Sequence, residues 1–429
     1  MSDRLVKKTK RIRRIPSKHN ENCGSMTSSQ FLKFLLDIDT ADWEVESICG
    51  GTENGVKTSH VTMNYIGTSG ICPECRIPLS IHDRRGRIWR HANYGDAVCY
   101  IHARIPRGQC SRCGRIRQLP IPWADPNVSY TRRFMDAAVE CMSQMSVAAA
   151  SRMLMASWRV LDGIVGNIVC RHLDSMDLSG LRRIRVDETS AKKNHRYITV
   201  ITDADTDDII FIAKGRRSRV MDEFKNWLLA HGGDPSGIEL VASDFGAPFL
   251  IGTEENLPNA EPVLDPFHLI QMANRALDRD RAAGSADNRF PGSIRFILLK
   301  GGESLMDGER RILSEFMRIN EGIAQSYRMK EALRGALKYT AEEADLAHVH
   351  LAAFAKWAER KGSAGFRALG KTVEKYNGGI VRAIETGLNN GFQEGLNARI
   401  QLSKRLGRGY RREIRFARII YFRDIFRTY

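Results

Sequence analysis

The chain has 429 residues, 42% of them hydrophobic, with a formal net charge of +16 and a sequence pI near 9.6. That length predicts two to four folded units and a sizeable core, and no stretch approaches the ~18 uninterrupted apolar residues of a membrane span, which excludes an integral helical membrane protein. The first twenty residues lack the apolar stretch and small-residue cleavage site of a secretory signal, so a cytoplasmic location is expected.

The charge is concentrated at the ends. Residues 1–20 carry eight Lys/Arg against one Asp, and residues 396–429 carry ten against two acids. Clustered cations gain free energy by releasing counterions from a polyanion, so both ends are predicted to contact nucleic-acid phosphates. The tail is interleaved with Tyr410, Phe416, Tyr421, Phe422 and Phe426, which predicts that part of it folds. Residues 1–70 are read as a basic arm and a small N-terminal region.

Nine cysteines, an odd number, argue against a disulfide framework in a reducing compartment. Cys72-Pro73-Glu74-Cys75 and Cys110-Ser111-Arg112-Cys113 form two CxxC knuckles, the spacing that completes a tetrahedral Zn²⁺ site with four thiolates. Short strand-like runs between them, Arg87–Arg90 and Val98–Ile101, predict a zinc ribbon over residues 71–120. A redox pair is the competing reading, and His82, His91, Cys99 and His102 are the substitute ligands. With four protein ligands the zinc would be structural.

After the joint Leu119-Pro120-Ile121-Pro122-Trp123 the pattern turns helical. Ser146–Leu154 and Ser157–Val165 read as two helices with a tight turn, a candidate helix-turn-helix within residues 121–178. Ser157, Trp158 and Arg159 would open the recognition helix, where base edges are read; an ordinary helical hairpin is the alternative.

From residue 179 the period changes to that of strands: Arg183–Glu188, Tyr197–Asp203 and Asp208–Lys214, then a helix over Val220–His231, a buried strand over Ile238–Ser243 and another over Pro262–Leu264. Three antiparallel strands, a crossover helix and a parallel fourth strand predict an α/β, RNase H-like core, begun by residues 179–267, interrupted by a helical insertion over 268–384, and completed by 385–429 together with the basic tail. Asp187 and Asp244 directly follow buried runs, where an unpaired charge is costly, and a metal ion would remove that cost. Alternation turns Glu188 away from Asp187, toward a structural bond or a supporting role behind a metal ligand. Asp203 reads as a turn residue.

These residues carry a resemblance. Cys72–Cys75, Arg104–Gly114, Pro122-Trp123-Ala124, Val186-Asp187-Glu188-Thr189, Lys214-Gly215-Arg216, Ser243-Asp244, Asp265-Pro266-Phe267-His268 and Glu394-Gly395-Leu396-Asn397 occur in the order found in the ISL-three family of bacterial insertion-sequence transposases, which the chain resembles from about residue 30 onward. Pro266 stands where the family commonly carries Arg, and Lys404–Tyr410 departs from its usual aromatic-glycine order. The resemblance implies a DDE catalytic domain whose acids are Asp187, Asp244 and Glu394, binding two Mg²⁺ (or Mn²⁺) per site. It implies cleavage at terminal inverted repeats and joining of the freed 3′-hydroxyls to target DNA. A nucleoid-associated homodimer or higher oligomer on double-stranded DNA would follow.

By periodicity alone Glu394 is weaker than the other two acids. Phe392, Leu396, Ile400 and Leu406 form an apolar stripe, while Glu394 shares the other side with Asn397, Gln401, Arg405 and Arg408. That suits a helix meeting DNA, with Arg405 and Arg408 as DNA-binding residues, and equally any solvated helix; Glu374 and Glu385 are the fallbacks. Asp265 and His268 could assist the site, or merely bond to each other at a strand-to-helix turn. Trp357, in the insertion, reads as a core residue. The rival reading is a transposase-derived DNA-binding regulator without catalysis, followed by a metal-dependent nuclease that never joins strands.

Overall fold

The computed structural model describes residues 27–38, 41–192, 196–215, 219–245, 247–284, 293–388 and 391–426; the basic arm of residues 1–20 lies outside them. The chain divides into two compact units, one running to Leu173 and taking in the segment from Arg418, the other spanning Asp174–Ala417. Among the described residues no helix is long and apolar enough to cross a membrane.

The first unit opens with α1 (Ser28–Leu36), held at its start by a capping box in which Thr27 and Gln30 bond reciprocally. Six strands follow: β1 (Trp43–Glu53), β2 (Val56–Tyr65), β3 (Ser69–Ile71), β4 (Pro78–Tyr94), β5 (Ala97–Gln109) and β6 (Ile116–Gln118). They form one sheet in the order β1-β2-β5-β4-β3, with β6 also on β5. The turn joining β1 to β2 uses Asn54 and Gly55 at φ 49° and 79°, the left-handed pair that fits a two-residue hairpin. One face buries Val61, Met63, Trp89, Ile101 and Ile105. On that core Trp123 packs edge-to-face against Trp43 and Trp89, with ring centroids 4.8 and 5.6 Å away, the arrangement aromatic quadrupoles favour. The sheet thus begins at Trp43, ahead of the first cysteine of the two knuckles.

Three helices follow, α2 (Arg132–Gln144), α3 (Val147–Met153) and α4 (Trp158–Asp174). Thr131 and Ser146 cap the first two, accepting from the amides of Phe134 and Ala149. Between α3 and α4 the backbone turns through Met155 at φ 49°.

The second unit holds a five-stranded sheet of β7 (Arg183–Lys192), β8 (Arg196–Asp203), β9 (Ile209–Lys214), β10 (Leu240–Ser243) and β11 (Glu261–Leu264) in the order β11-β10-β7-β8-β9. β7, β8 and β9 are antiparallel; β10 runs parallel to both β7 and β11. α5 (Arg219–Ala230) makes the crossover and α6 (Ala247–Asn256) joins β10 to β11. The first strand runs on to Lys192 instead of stopping at Glu188, because the ladder to β8 pairs Thr189 with Ile198 and Ser190 with Tyr197. Asp203 accepts from the amide of Asp205 and the hydroxyl of Thr206, so it is the turn residue expected.

One sheet face is apolar, with Ile184, Val186, Ile201 and Val241 packed on Phe224 and Leu228 of α5. After β11 come α7 (Pro266–Gly284), α8 (Ile294–Leu299), α9 (Asp307–Ile319), α10 (Glu321–Ala336), α11 (Ala344–Lys361) and α12 (Ala364–Thr386). They share a core of Leu277, Leu333, Leu351, Phe366 and their neighbours, with Trp357 partly buried against it. Within it Lys330 is wholly buried, its ammonium donating to the carbonyls of Leu298 and Lys300 at 2.7 and 2.5 Å, pairing with Glu331, and lying over the Tyr327 ring. α12 crosses β11 at Gly379, where a Cβ would stand 3.1 Å from the Pro262 carbonyl oxygen. The chain then forms α13 (Gly391–Leu406), and α14 (Glu413–Phe426) leads from this unit into the first.

Candidate acidic site

Parallel registry brings the acids together. β10 pairs Leu240 with Arg183 and Ala242 with Arg185, so continuing that register two residues sets Asp244 beside Asp187. β10 also pairs Ser243 with Leu264, and one further step sets Asp265 beside Asp244. Three carboxylates therefore converge at one end of adjacent strands, Asp244 and Asp265 each one residue past the end of its strand, although 57 and 21 residues separate them in the chain.

The half-buried Asp187 lies mid-strand on the face opposite Ile184 and Val186. Its carboxylate accepts from the Glu188 amide at 2.7 Å and from the Asn397 side-chain amide at 2.6 Å. Burial pushes this carboxyl up to about 6, and the negative field of Asp244 adds to that, while the two hydrogen bonds and nearby His268 oppose it.

Asp265 is buried and accepts from the Phe267 amide at 3.0 Å and from His268 Nδ1 at 3.2 Å. It therefore opens α7 and orients the imidazole. The bond to Asp265 raises the His268 pKa, and the fields of Asp244 and Asp187 add to this. The local Asp–His bond is thus formed, and it holds a proton-binding group within the field of the acid pair.

Glu394 is on α13, three residues before Asn397 and so on the same helix face; its side chain lies outside the described residues. Glu374 and Glu385 are both exposed on α12. The polar stripe of α13 is the side bonded to the sheet: Gln393 to Thr202 at 3.3 Å, Asn397 to Asp187, Gln401 to Thr189 at 2.8 Å, and Lys404 to the Ser190 carbonyl at 2.8 Å. Leu396 and Ile400 are buried as the stripe predicted, whereas Leu406 is 39% exposed. Sequence reasoning missed this polar interlock. Its signal was the spacing of Gln393, Asn397, Gln401 and Lys404, one residue per helical turn.

In the first unit the sulfurs of Cys72, Cys75, Cys110 and Cys113 lie within 4.8 Å of one another, the group of potential metal ligands found among the described residues. The Cys75 amide donates to Cys72 Sγ at 3.4 Å, and the Arg115 amide chiefly draws the Cys113 thiol down to about 7. The substitute ligands are occupied elsewhere: His91 bonds Thr131, His102 bonds His60, and Cys99 is buried in the sheet core. His82 is exposed.

Ser157, Trp158 and Arg159 are all exposed at the start of α4, where the Ser157 hydroxyl accepts from the Val160 amide at 3.3 Å. Arg405 and Arg408 are exposed at the far end of α13.

A family model of transposases, that of the ISL-three (ISL3) group, matches residues 184–420, more than half the chain and nearly the whole of this sheet and its helices. The chain belongs to the ISL-three family of insertion-sequence transposases. It is 26% identical over 371 residues to the transposase for insertion sequence element IS1557 of Mycobacterium tuberculosis, covering 79% of this chain and 82% of that one. It is also 24% identical over 351 residues to the transposase for IS1001 of Bordetella parapertussis, covering 80% and 85%.

Proposed function

We propose that this transposase cuts DNA at the terminal inverted repeats of an insertion sequence and joins the freed 3′-hydroxyls to target DNA, with Asp187, Asp244 and Glu394 as its catalytic acids on an RNase H-like core. The observation that carries this reading is the convergence of Asp187 and Asp244 through parallel registry, beside a helix that reaches Asp187 through Asn397. Carboxylates so placed, one of them half-buried and resisting ionisation, fit hard divalent cations, which take oxygen ligands. Two Mg²⁺ or Mn²⁺ ions held by the three acids would activate the attacking oxygen and stabilise the leaving one. The Glu188 and Asn397 amides keep the Asp187 carboxylate in one orientation, and Asp265 does the same for His268, which can hold a proton or a negative phosphate oxygen beside the acids. Docking of α13 through its polar stripe supports placing Glu394 with the pair.

In the same reading the four cysteines hold a structural zinc, for which mutually close thiols with backbone amides donating to them are a suitable donor set. Residues 71–120 form the ribbon around it, and α2–α4 act as the helix-turn-helix. Ser157, Trp158 and Arg159 read the repeat, while Arg405 and Arg408 contact the DNA backbone. Acting on two ends calls for at least a homodimer.

The test is incubation of labelled inverted-repeat DNA with Mg²⁺ or Mn²⁺ for wild type and Asp244→Asn. Nicking by wild type and its loss in the variant are expected. Binding without nicking by wild type, or equal cutting by both, would overturn the proposal.

A further inference from the structure

We infer that the cavity at the C-terminal end of α13 is a preformed socket for one backbone phosphate of the DNA strand engaged by the acids, built by Lys404, Arg405, Arg408 and Arg411 against β7. The inference rests on the reading of Asp187 and Asp244 as the cutting centre for the socket's place along the DNA, and on its own residues for its chemistry.

The cavity is an open groove of about 910 Å³, large enough to take a phosphate with its flanking sugars, backed by Ala191 of β7 and walled by Tyr410; no acidic residue lines it among the described residues. Among the described residues, none of Lys404, Arg405 and Arg408 has a carboxylate within ion-pair distance. The helix dipole accounts for cations at Lys404 and Arg405, but Arg408 lies beyond the helix end. It stands at φ 52°, next to Gly409 at 85°, in a left-handed conformation that costs a side chain on the order of 1 kcal/mol. The Gly409 amide closes this turn onto the Lys404 carbonyl at 2.9 Å, and the turn carries Arg408 and Arg411 to the same cavity. The wall is firm as well. The Tyr410 ring folds over Gly407, where a Cβ would come within 2.7 Å of it, and stacks on Phe416 with centroids 5.1 Å apart.

The socket is tied to the strand that carries Asp187. Gln401 and Lys404 both bond the Ser190 carbonyl, at 3.0 and 2.8 Å. Burial lowers the Lys404 pKa, and an arriving phosphate would offset that. At 1.5 Å per residue the socket begins roughly 10 Å along α13 from Asn397 and ends roughly 15 Å away. At about 3.4 Å of axial rise per nucleotide on one strand, that distance places the bound phosphate roughly two to five linkages from the scissile one. Holding it would set the register of the strand across the acids.

The experiment pairs full-length wild type and Arg408→Gly with inverted-repeat duplexes in which single linkages near the cut are neutral methylphosphonates. Glycine keeps the left-handed turn and removes only the side chain with its guanidinium; Arg411→Gln serves as a second variant. Wild type should lose roughly tenfold in affinity at one linkage two to five from the cut, whereas each variant, lacking one of the four cations, should lose only about threefold or less there. The variants' salt dependence should fall by about one phosphate contact, and inorganic phosphate at millimolar concentration should not displace the duplex. Equal losses by wild type and variants at every linkage, a linkage outside that window, or full displacement by inorganic phosphate would overturn the socket. Failure of wild type to nick any duplex would count against the acidic site alone, since the socket is read by binding.

Discussion

Replacing Asp187 with asparagine should stabilise the metal-free protein while abolishing cleavage. The Asp187 carboxyl is raised from 3.8 to about 6 in the fold, and each pH unit of such a difference corresponds to about 1.36 kcal/mol. A raised carboxyl binds its proton more tightly in the folded state. Its ionisation therefore costs the fold nothing below the unfolded value near 4, increasingly more as pH rises from there, and a constant amount above about 6. The product of the two figures sets an upper bound of about 3 kcal/mol at pH 8, and partial exposure of the group makes roughly half of that a fair expectation. The substituted side chain would carry no charge, keep its oxygen for the Glu188 amide and donate its NH2 to Asn397 once that amide flips to present its unpartnered oxygen. Thermal unfolding without divalent metal should show the variant's transition for the Asp174–Ala417 unit several degrees higher at pH 8, at about 2 to 4 °C per kcal/mol in a unit of this size. The gap should narrow through pH 6 and vanish near pH 4. Added Mg²⁺ should stabilise wild type by mass action and the variant far less. A variant no more stable than wild type at pH 8, or a gap independent of pH, would refute the account of Asp187 as a carboxyl whose ionisation the metal-free fold disfavours.

Cys110→Ser, or exhaustive chelation verified by metal analysis, should unfold the six-stranded sheet, visible as lost circular dichroism and lost end binding, because structural zinc contributes on the order of 10 kcal/mol to such a fold; unchanged binding after verified zinc loss would oppose this. Lys330→Ala should lower the denaturant midpoint of the second unit by an amount equivalent to about 3 kcal/mol, since it strands the Leu298 and Lys300 carbonyls and leaves a cavity, with little effect on DNA affinity.

Much of this protein was legible along the chain. Cysteine spacing pointed to the four-sulfur cluster, and strand periodicity to the order of β7 through β10, because thiolate geometry and period-two alternation are local properties. Asp187 and Asp244 could be singled out one at a time, each after a buried run. Their adjacency was implied only by the family resemblance, since the parallel register of β10 on β7 is a pairing across 57 residues that local pattern does not encode. The polar face of α13 was equally ambiguous. Water and the carboxylate, hydroxyl and carbonyl groups of β7 all satisfy an amide side chain, and only the packed sheet shows Asn397 on Asp187 and Gln401 on Thr189. The left-handed turn at Arg408 likewise follows from the closure of Gly409 onto Lys404. Residue types and periods determined which groups were available; long-range register and helix docking decided which of them meet.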